Sequence, residues 1–148
     1  MRAIRFFLVA LAVLTMLSTG ESRAAELKVL STEAMRAALQ ELAPAFEAAS
    51  KHKLVIAFAT DEDGAKKVVA DESIDIAILS KPRIDVLVKS ARLLTFPKVL
   101  ATGSAPDLVY AAGSSMVTEE PLAVRALMNF LAGPEAKKVY QAKGLKTS

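Results

Sequence analysis

Hydroxyl-bearing residues follow directly after three short apolar segments of this sequence. They are Ser31 and Thr32 after the first segment, Thr60 after the second and Ser80 after the third. Such hydroxyls, set beside the free N–H groups of a helix N-terminus, can bind an oxyanion without a full opposite charge. The same residue types are also preferred N-caps, so capping alone would place them here, and one residue can serve both roles.

Residues that commonly carry catalysis are sparse. The chain has no cysteine, and its one histidine, His52, stands in a Lys-His-Lys turn that we interpret as solvated. Neither Asp75 nor Asp107 has an acid–base partner that the sequence identifies. No Gly-x-Ser-x-Gly pattern of a nucleophile elbow is present either. We therefore expect no enzymatic activity, no cofactor and no metal site.

The elements that must position these hydroxyls alternate along the first half of the chain. Apolar residues at spacings of three and four predict a helix over 35–49, with Pro44 expected to kink or restart it. Residues 54–59 are apolar on both faces, which is typical of a buried parallel strand. Further strands are predicted at 27–30 and 74–79, and further helices at 61–70 and 82–91.

Short strand–helix–strand connections imply parallel pairing, and a parallel sheet binds its ligands at the carboxyl ends of its strands. We therefore expect the candidate hydroxyls at one edge of a sheet. The second half is less regular, because residues 93–104 have weak periodicity and predict no element. A strand is predicted at 108–112, a helix from 119 or 120 to 131, and a last helix between Gly133-Pro134 and Gly144.

Residues 1–24 have the features of a secretory signal peptide. Two arginines precede an apolar run at 6–17, and a small-residue cleavage pattern ends at Ala24. As a helix, the apolar run would cover only about 18 Å of a bilayer core about 30 Å thick. Most of the net charge of +3 lies in this segment, so residues 25–148 are nearly neutral. We predict one soluble, periplasmic domain that binds no nucleic acid.

Three runs of the sequence resemble periplasmic molybdate-binding-like proteins, the solute receptors of ABC transporters with the type II periplasmic binding-protein fold. The runs are AAELKVLSTEAMRAALQELAPAFEAASKHKLVIAF, DIAILSKPRIDVLVKSARL and AVRALMNFLAGPEAKKVYQAKGL. The resemblance implies an α/β fold, with a mainly parallel sheet between two layers of helices. It also implies a small oxyanion such as molybdate as ligand and an ABC permease as partner. By position it assigns the anion to Ser31 and Thr60, and we add Thr32 and Ser80 as candidate ligand-binding residues.

The chain departs from this family in length and in charge. It is shorter, and a second lobe would be inserted between about 93 and 108, so residues 25–148 are expected to form a single lobe. Glu33 follows the first candidate loop, and the acids at 61–63 follow Thr60. At about 6 Å and an effective dielectric of about 20, each carboxylate would oppose an anion by roughly 3 kcal/mol. We interpret the acids as facing solvent along the second helix, with a cation site as the alternative.

Two classes of function therefore remain open. The first is solute binding of a weak or degenerate kind, with an oxyanion as the inherited ligand. The second is a non-transporting interaction or structural module, such as a homodimer through the face left by the missing lobe, or a deletion product without ligand.

Overall fold

The computed structural model of the protein describes residues 23–71, 73–105 and 107–148. The predicted signal peptide therefore lies outside the described residues, apart from Arg23 and Ala24. Within these three described ranges, the structure has no helix that combines the length and the apolar character needed to cross a membrane.

Three parallel strands, each followed by a helix, make up the first half of the fold. Strand β1 lies between the other two and pairs in parallel with both, as the short connections predict. A 3₁₀ turn, Glu33–Met35, links it to the first helix. The strands are β1 (Glu26–Thr32), β2 (Lys53–Ala59) and β3 (Ile76–Ser80), and the helices are α1 (Arg36–Ser50), α2 (Asp61–Ala70) and α3 (Lys81–Lys89).

The second half adds two strands and two helices to the same sheet. These are β4 (Lys98–Thr102), β5 (Val109–Ser114), α4 (Pro121–Leu131) and α5 (Pro134–Ala142). The strand order is β2-β1-β3-β5-β4, and β5 runs antiparallel to both of its neighbours. The α/β class with a sheet between helical layers is confirmed, and the sheet itself is mixed.

A core lies on each face of the sheet. On one side, α1, α4 and α5 bury residues such as Leu39, Leu127 and Tyr140 against the strands. On the other side, α2 and α3 bury Val68 and Ile84. The chain thus forms three layers. The N-termini of α2 and α3 both lie at the carboxyl ends of the parallel strands.

Strand β2 differs from its prediction as a strand buried on both faces. It lies at the edge of the sheet, where Leu54, Ile56 and Phe58 pack towards the α1 side. Val55 on the other face is 49% exposed. A continuous apolar run suggests burial on both faces, but an edge position leaves one face without a complete covering layer.

Helix α1 runs unbroken through Pro44, so it does not restart there, which was one of the two predicted outcomes. The proline removes one backbone donor from the helix. The buried stripe of Leu39, Leu42 and Phe46 packs on the sheet and keeps the helix continuous, since tertiary packing supplies most of a helix's stability.

Candidate functional site

The candidate residues lie where the three parallel strands end. Thr32 pairs in register with Ala59 across β1 and β2, so Thr60 begins one residue beyond the same edge. Ser80 ends β3 on the other side of β1. Thr32, Thr60 and Ser80 are the N-caps of the 3₁₀ turn, α2 and α3 in that order. The N-termini of two α-helices and of the 3₁₀ turn therefore lie at the carboxyl ends of the three parallel strands, where the sequence predicts the candidate hydroxyls.

Thr60 caps helix α2 through its side chain. The backbone N–H of Asp63 donates to Thr60 Oγ1 at 3.1 Å, which is the first half of the predicted capping box. The hydroxyl accepts this bond, so its own proton remains available to donate to another group. Capping and ligand binding are thus compatible at Thr60.

Ser31 and Thr32 are buried beneath the edge. Ser31 has no exposed surface, and its hydroxyl donates to the carbonyl of Thr32 at 3.0 Å. Thr32 is 5% exposed and makes no side-chain capping bond to the turn that follows it. In this arrangement the Ser31 hydroxyl stabilises the turn, and it would have to rotate to reach a ligand.

Ser80 binds a carboxylate of the chain itself. Its backbone N–H donates to Asp61 Oδ1 at 2.7 Å, and its hydroxyl donates to Asp61 Oδ2 at 2.6 Å. Arg83 Nε lies 3.7 Å from the same Oδ2. Ser80 is 7% exposed, so its two donors face this carboxylate from a buried position. The first residue of α2 therefore caps the N-terminus of α3.

The prediction that the acids after Thr60 all face solvent is wrong for Asp61. Its carboxylate turns inward to Ser80 because two donors and the N-terminal end of α3 favour a negative charge there. Glu62 is exposed, as predicted, and pairs with Lys66 at 3.0 Å. Bonding to Lys66 lowers the pKa of Glu62. Among the described residues, no group of three or more acids and histidines could hold a metal ion.

Two further contacts modify the charge at this edge. Arg36 donates two hydrogen bonds to Glu33, at 2.7 and 2.8 Å, and these bonds lower the pKa of the carboxyl. The guanidinium also lies 4.2 Å from the centre of the Phe58 ring. The charge of Glu33, which the sequence suggests would repel an anion, is therefore compensated locally.

Tyr110 lies beside the candidate residues, and the sequence did not indicate it. It pairs with Ser80 across β3 and β5 and is 4% exposed. Burial raises the pKa of its hydroxyl, and the negative charge of Asp61 adds to the shift. The Asp61–Ser80 and Ser80–Tyr110 contacts join residues 19 and 30 positions apart, so no local spacing could have revealed them.

The structure also shows the contacts of His52, which differs from its interpretation in the sequence, and of Asp75. His52 is half-buried rather than solvated, because Ala25 donates its N–H to Nδ1 at 3.0 Å and the ring stacks on Phe46. Asp75 lies just before β3 and accepts from the Thr118 hydroxyl at 2.6 Å and from the Lys28 N–H at 2.9 Å. Both residues lie near the amino ends of the parallel strands, opposite the candidate residues, and have structural roles there.

One cleft lies near the candidate residues and another lies at the opposite ends of the strands. One of about 340 Å³ lies between α2 and α3 and is lined by Glu62, Lys66 and Arg83 among others. Another of about 450 Å³ lies at the opposite edge, beside Asp75 and Glu120. Ser31, Thr60 and Ser80 line neither cleft, so the hydroxyls do not converge on these cavities.

Comparison with solved structures identifies the same fold in several transport proteins. Over 84% of this chain and 100% of the other, it is similar to the substrate-binding domain of a putative molybdenum ABC transporter from Clostridium difficile, with a TM-score of 0.77 at 9% identity. The periplasmic molybdate-binding protein of Azotobacter vinelandii matches over 82% of this chain and 99% of its own, with a TM-score of 0.73 at 11% identity. The tungstate ABC transporter structure from Geobacter sulfurreducens matches over 79% and 98%, with a TM-score of 0.63 at 10% identity.

Sequence comparison adds a match to a protein family. No curated protein matches the chain in sequence. At 9–11% identity, the structural likeness shows the fold alone. The family described as bacterial extracellular solute-binding protein matches residues 27–114, which contain β2 to β5, all of β1 except Glu26, and every candidate ligand residue. Since this match covers more than half of the chain, the protein belongs to the family of bacterial extracellular solute-binding proteins.

Proposed function

We propose that this protein is a periplasmic receptor that binds a small oxyanion, of the molybdate class, and presents it to an ABC permease. The observation that carries the proposal is the contact of Ser80 with Asp61. There, a backbone N–H and a hydroxyl hold the two oxygens of a negatively charged group at 2.7 and 2.6 Å. This arrangement supplies the kind of donors that an oxyanion needs at a helix N-terminus.

The ligand-binding residues in this proposal are Ser31, Thr32, Thr60 and Ser80. Thr60 supports the assignment because its hydroxyl proton remains free to donate while its oxygen caps α2. The first N–H groups of three helical segments lie at the same edge and have no partner within their own helices. The molybdate and tungstate proteins that share this fold make the oxyanion class the natural first choice of ligand.

The proposal includes a receptor of one lobe, cut from a precursor whose residues 1–24 direct export. We place the missing second lobe between about 93 and 108, within the segment that joins α3 to β5 and contains the five-residue strand β4. A site on one lobe stays in contact with water, and electrostatic contacts weaken as the surrounding dielectric rises. We therefore expect weak binding, in the millimolar rather than the nanomolar range.

Thermal unfolding with added oxyanions tests the receptor proposal. At 100 times its dissociation constant, a ligand of the folded state should stabilise the protein by about 2.7 kcal/mol. Molybdate, tungstate, sulfate and phosphate are compared with chloride at equal ionic strength. If none of the four raises the melting temperature above the chloride value, the receptor proposal fails.

A pair of serine variants tests whether the oxyanion binds at the carboxyl ends of the parallel strands. Ser80→Ala removes one of the two donors at the N-terminus of α3, and calorimetric titration should show at least fivefold weaker oxyanion binding. Ser90→Ala is the matched control, because Ser90 caps the opposite end of the same helix. Equal loss of affinity in the two variants would place the bound anion elsewhere.

An interaction module is the second candidate function, and exposed apolar residues around β4 favour it. Phe96 is 87% exposed, and Leu94, Val99 and Leu108 are 45%, 49% and 38% exposed. We define these four residues as the β4 patch. A second copy of the chain is the partner we propose, because β4 ends the sheet and offers an edge to another strand. A protein that neither binds oxyanions nor self-associates would fit a deletion product without ligand.

A further inference from the structure

The carboxylate of Asp61 saturates the donors of Ser80. Each of its two oxygens receives one hydrogen bond, from the N–H at 2.7 Å and from the hydroxyl at 2.6 Å. The contact joins the first residue of α2 to the N-cap of α3, although the two residues lie 19 positions apart. An incoming oxyanion would need the same two donors.

We propose that Asp61 is a built-in competitor, whose carboxylate occupies the anion position at Ser80 and must leave before an oxyanion binds there. This inference rests on the proposed function and adds a regulatory contact to the same site. The protein described by the structure is then the self-occupied state. Binding exchanges an internal carboxylate for an external oxyanion and leaves the donors of Ser80 satisfied in both states.

The surroundings of Asp61 allow such an exchange. Its side chain is 32% exposed, so water can solvate the carboxylate once it turns away. Arg83 lies 3.7 Å from Oδ2, too far for a strong hydrogen bond but close enough to attract whichever anion is present. Thr60 keeps α2 capped through Asp63, and that bond does not involve the Asp61 side chain.

Competition by a tethered group lowers the measured affinity without changing the intrinsic affinity of the open site. The apparent dissociation constant equals the intrinsic one divided by the fraction of molecules whose site is open. If Asp61 fills the site in more than nine-tenths of the molecules, its removal tightens binding at least tenfold. If only the loss of one negative charge mattered, removing a charge from a neighbouring position would tighten binding by the same factor.

The test compares Asp61→Asn with Asp63→Asn in calorimetric titrations of the purified protein with molybdate and with sulfate. Both variants lose one negative charge from the first turn of α2, but Asp63 is exposed and does not contact Ser80 through its side chain. We expect at least tenfold tighter binding for D61N and less than a threefold change for D63N. Melting curves of both variants establish that they are folded.

The outcomes separate the inference from the proposed function. If the wild type binds an oxyanion and D61N binds no tighter than D63N, the competitor role is overturned and the receptor function stands. If D61N binds and the wild type does not, the competitor role is supported and the native chain is not a receptor. If no folded variant binds, both proposals fall.

A measurement on the wild type covers the case in which D61N does not fold. The ¹³C shift of the Asp61 carboxyl and the amide shift of Ser80 are followed by NMR during a molybdate titration. We expect the Asp61 signal to move towards that of a solvated carboxylate as the Ser80 amide responds. An Asp61 signal that stays constant while the oxyanion saturates the protein, or an unresponsive Ser80 amide, would overturn the inference.

Discussion

At the scale of single residues, the hydroxyl groups of the candidate site form hydrogen bonds mainly with other groups of the protein. Ser31 donates to a carbonyl, Thr60 caps α2, and Ser80 holds Asp61. The bonds of Ser31 and Ser80 satisfy polar groups that burial would otherwise leave at a cost of about 1–3 kcal/mol, whereas the bond at Thr60 is exposed. In the proposed site, structural use and ligand binding would therefore compete for Ser31 and Ser80, while Thr60 could serve both at once.

Thr60→Ala should lower the free energy of unfolding by about 1 kcal/mol, because the Asp63 N–H loses its capping acceptor. Denaturant titration followed by circular dichroism measures the change. Thr95→Ala is a suitable control, since Thr95 is exposed in the segment between α3 and β4. A loss no larger in T60A than in T95A would mean that the cap contributes nothing to stability.

Single residues also mark how far the sequence could be interpreted. The N-cap at Thr60 was predictable because the capping residue and its partner are three positions apart. The inward turn of Asp61 was not, because its partner Ser80 is brought near only by the pairing of whole strands. His52 was misread for the same reason, since its contact with Ala25 spans the β1–β2 pairing.

At the scale of elements, Tyr140 fastens α5 to the end of α4. The side chain is fully buried in the core, and its hydroxyl donates to the Leu131 carbonyl at 2.8 Å. Leu131 is the last residue of α4, whose final carbonyls lack partners within the helix. This one bond therefore completes a helix end and joins two elements across the Gly133-Pro134 turn.

Tyr140→Phe should lower the free energy of unfolding by about 1–2 kcal/mol near neutral pH, because the Leu131 carbonyl loses a buried donor. Burial raises the pKa of Tyr140, so the folded state keeps a proton that the unfolded state releases above its ordinary value of 10.0. The wild type should therefore lose stability as the pH rises above 10.

The variant should lose less stability over that alkaline range, since it has no proton to release at this position. Urea titrations between pH 8 and 11 provide the measurement. An identical alkaline slope in Y140F and the wild type would mean that Tyr140 does not contribute to the pH dependence.

Predictability differed among the elements. The helices α4 and α5 lie close to their predicted bounds, because apolar spacing, proline near the start and glycine after the end agree there. Helix α2 matches its predicted bounds because Thr60 marks its start as an N-cap. Strand β4 was missed because its pairing with β5 shifts register between Val99 and Ala101, which breaks the alternation that reveals a strand. The antiparallel direction of β5 was likewise not visible without knowledge of β4.

At the scale of the whole molecule, the two outermost strands of the sheet are covered by other residues to different extents. Strand β2 ends one side, and β4 ends the other. Part of β4 is covered, because Thr102 and Lys146 exchange backbone hydrogen bonds at 2.7 and 2.8 Å. The β4 patch includes Val99 of this strand and three residues outside it, and such exposed apolar side chains are typical of a surface that contacts another protein.

Sedimentation equilibrium over a range of concentrations tests self-association through the β4 patch. We expect a monomer–dimer equilibrium for the wild type and a monomer for Phe96→Ser, because the variant loses the most exposed apolar side chain of the patch. Val86→Ser is a matched control, since Val86 is 61% exposed on α3 and outside the patch. A wild type that stays monomeric throughout, or an F96S variant that dimerises equally well, would contradict the proposed homodimer.

The bond between Asp61 and Ser80 also bears on how this chain could change over generations. Codons for aspartate and asparagine differ by a single base. If the carboxylate is the internal competitor, one point mutation separates a lineage whose anion position is closed by its own side chain from one whose position is open. The affinity of the proposed site for an oxyanion could then be raised or lowered at one codon, with the strands, the helices and Ser80 left as they are.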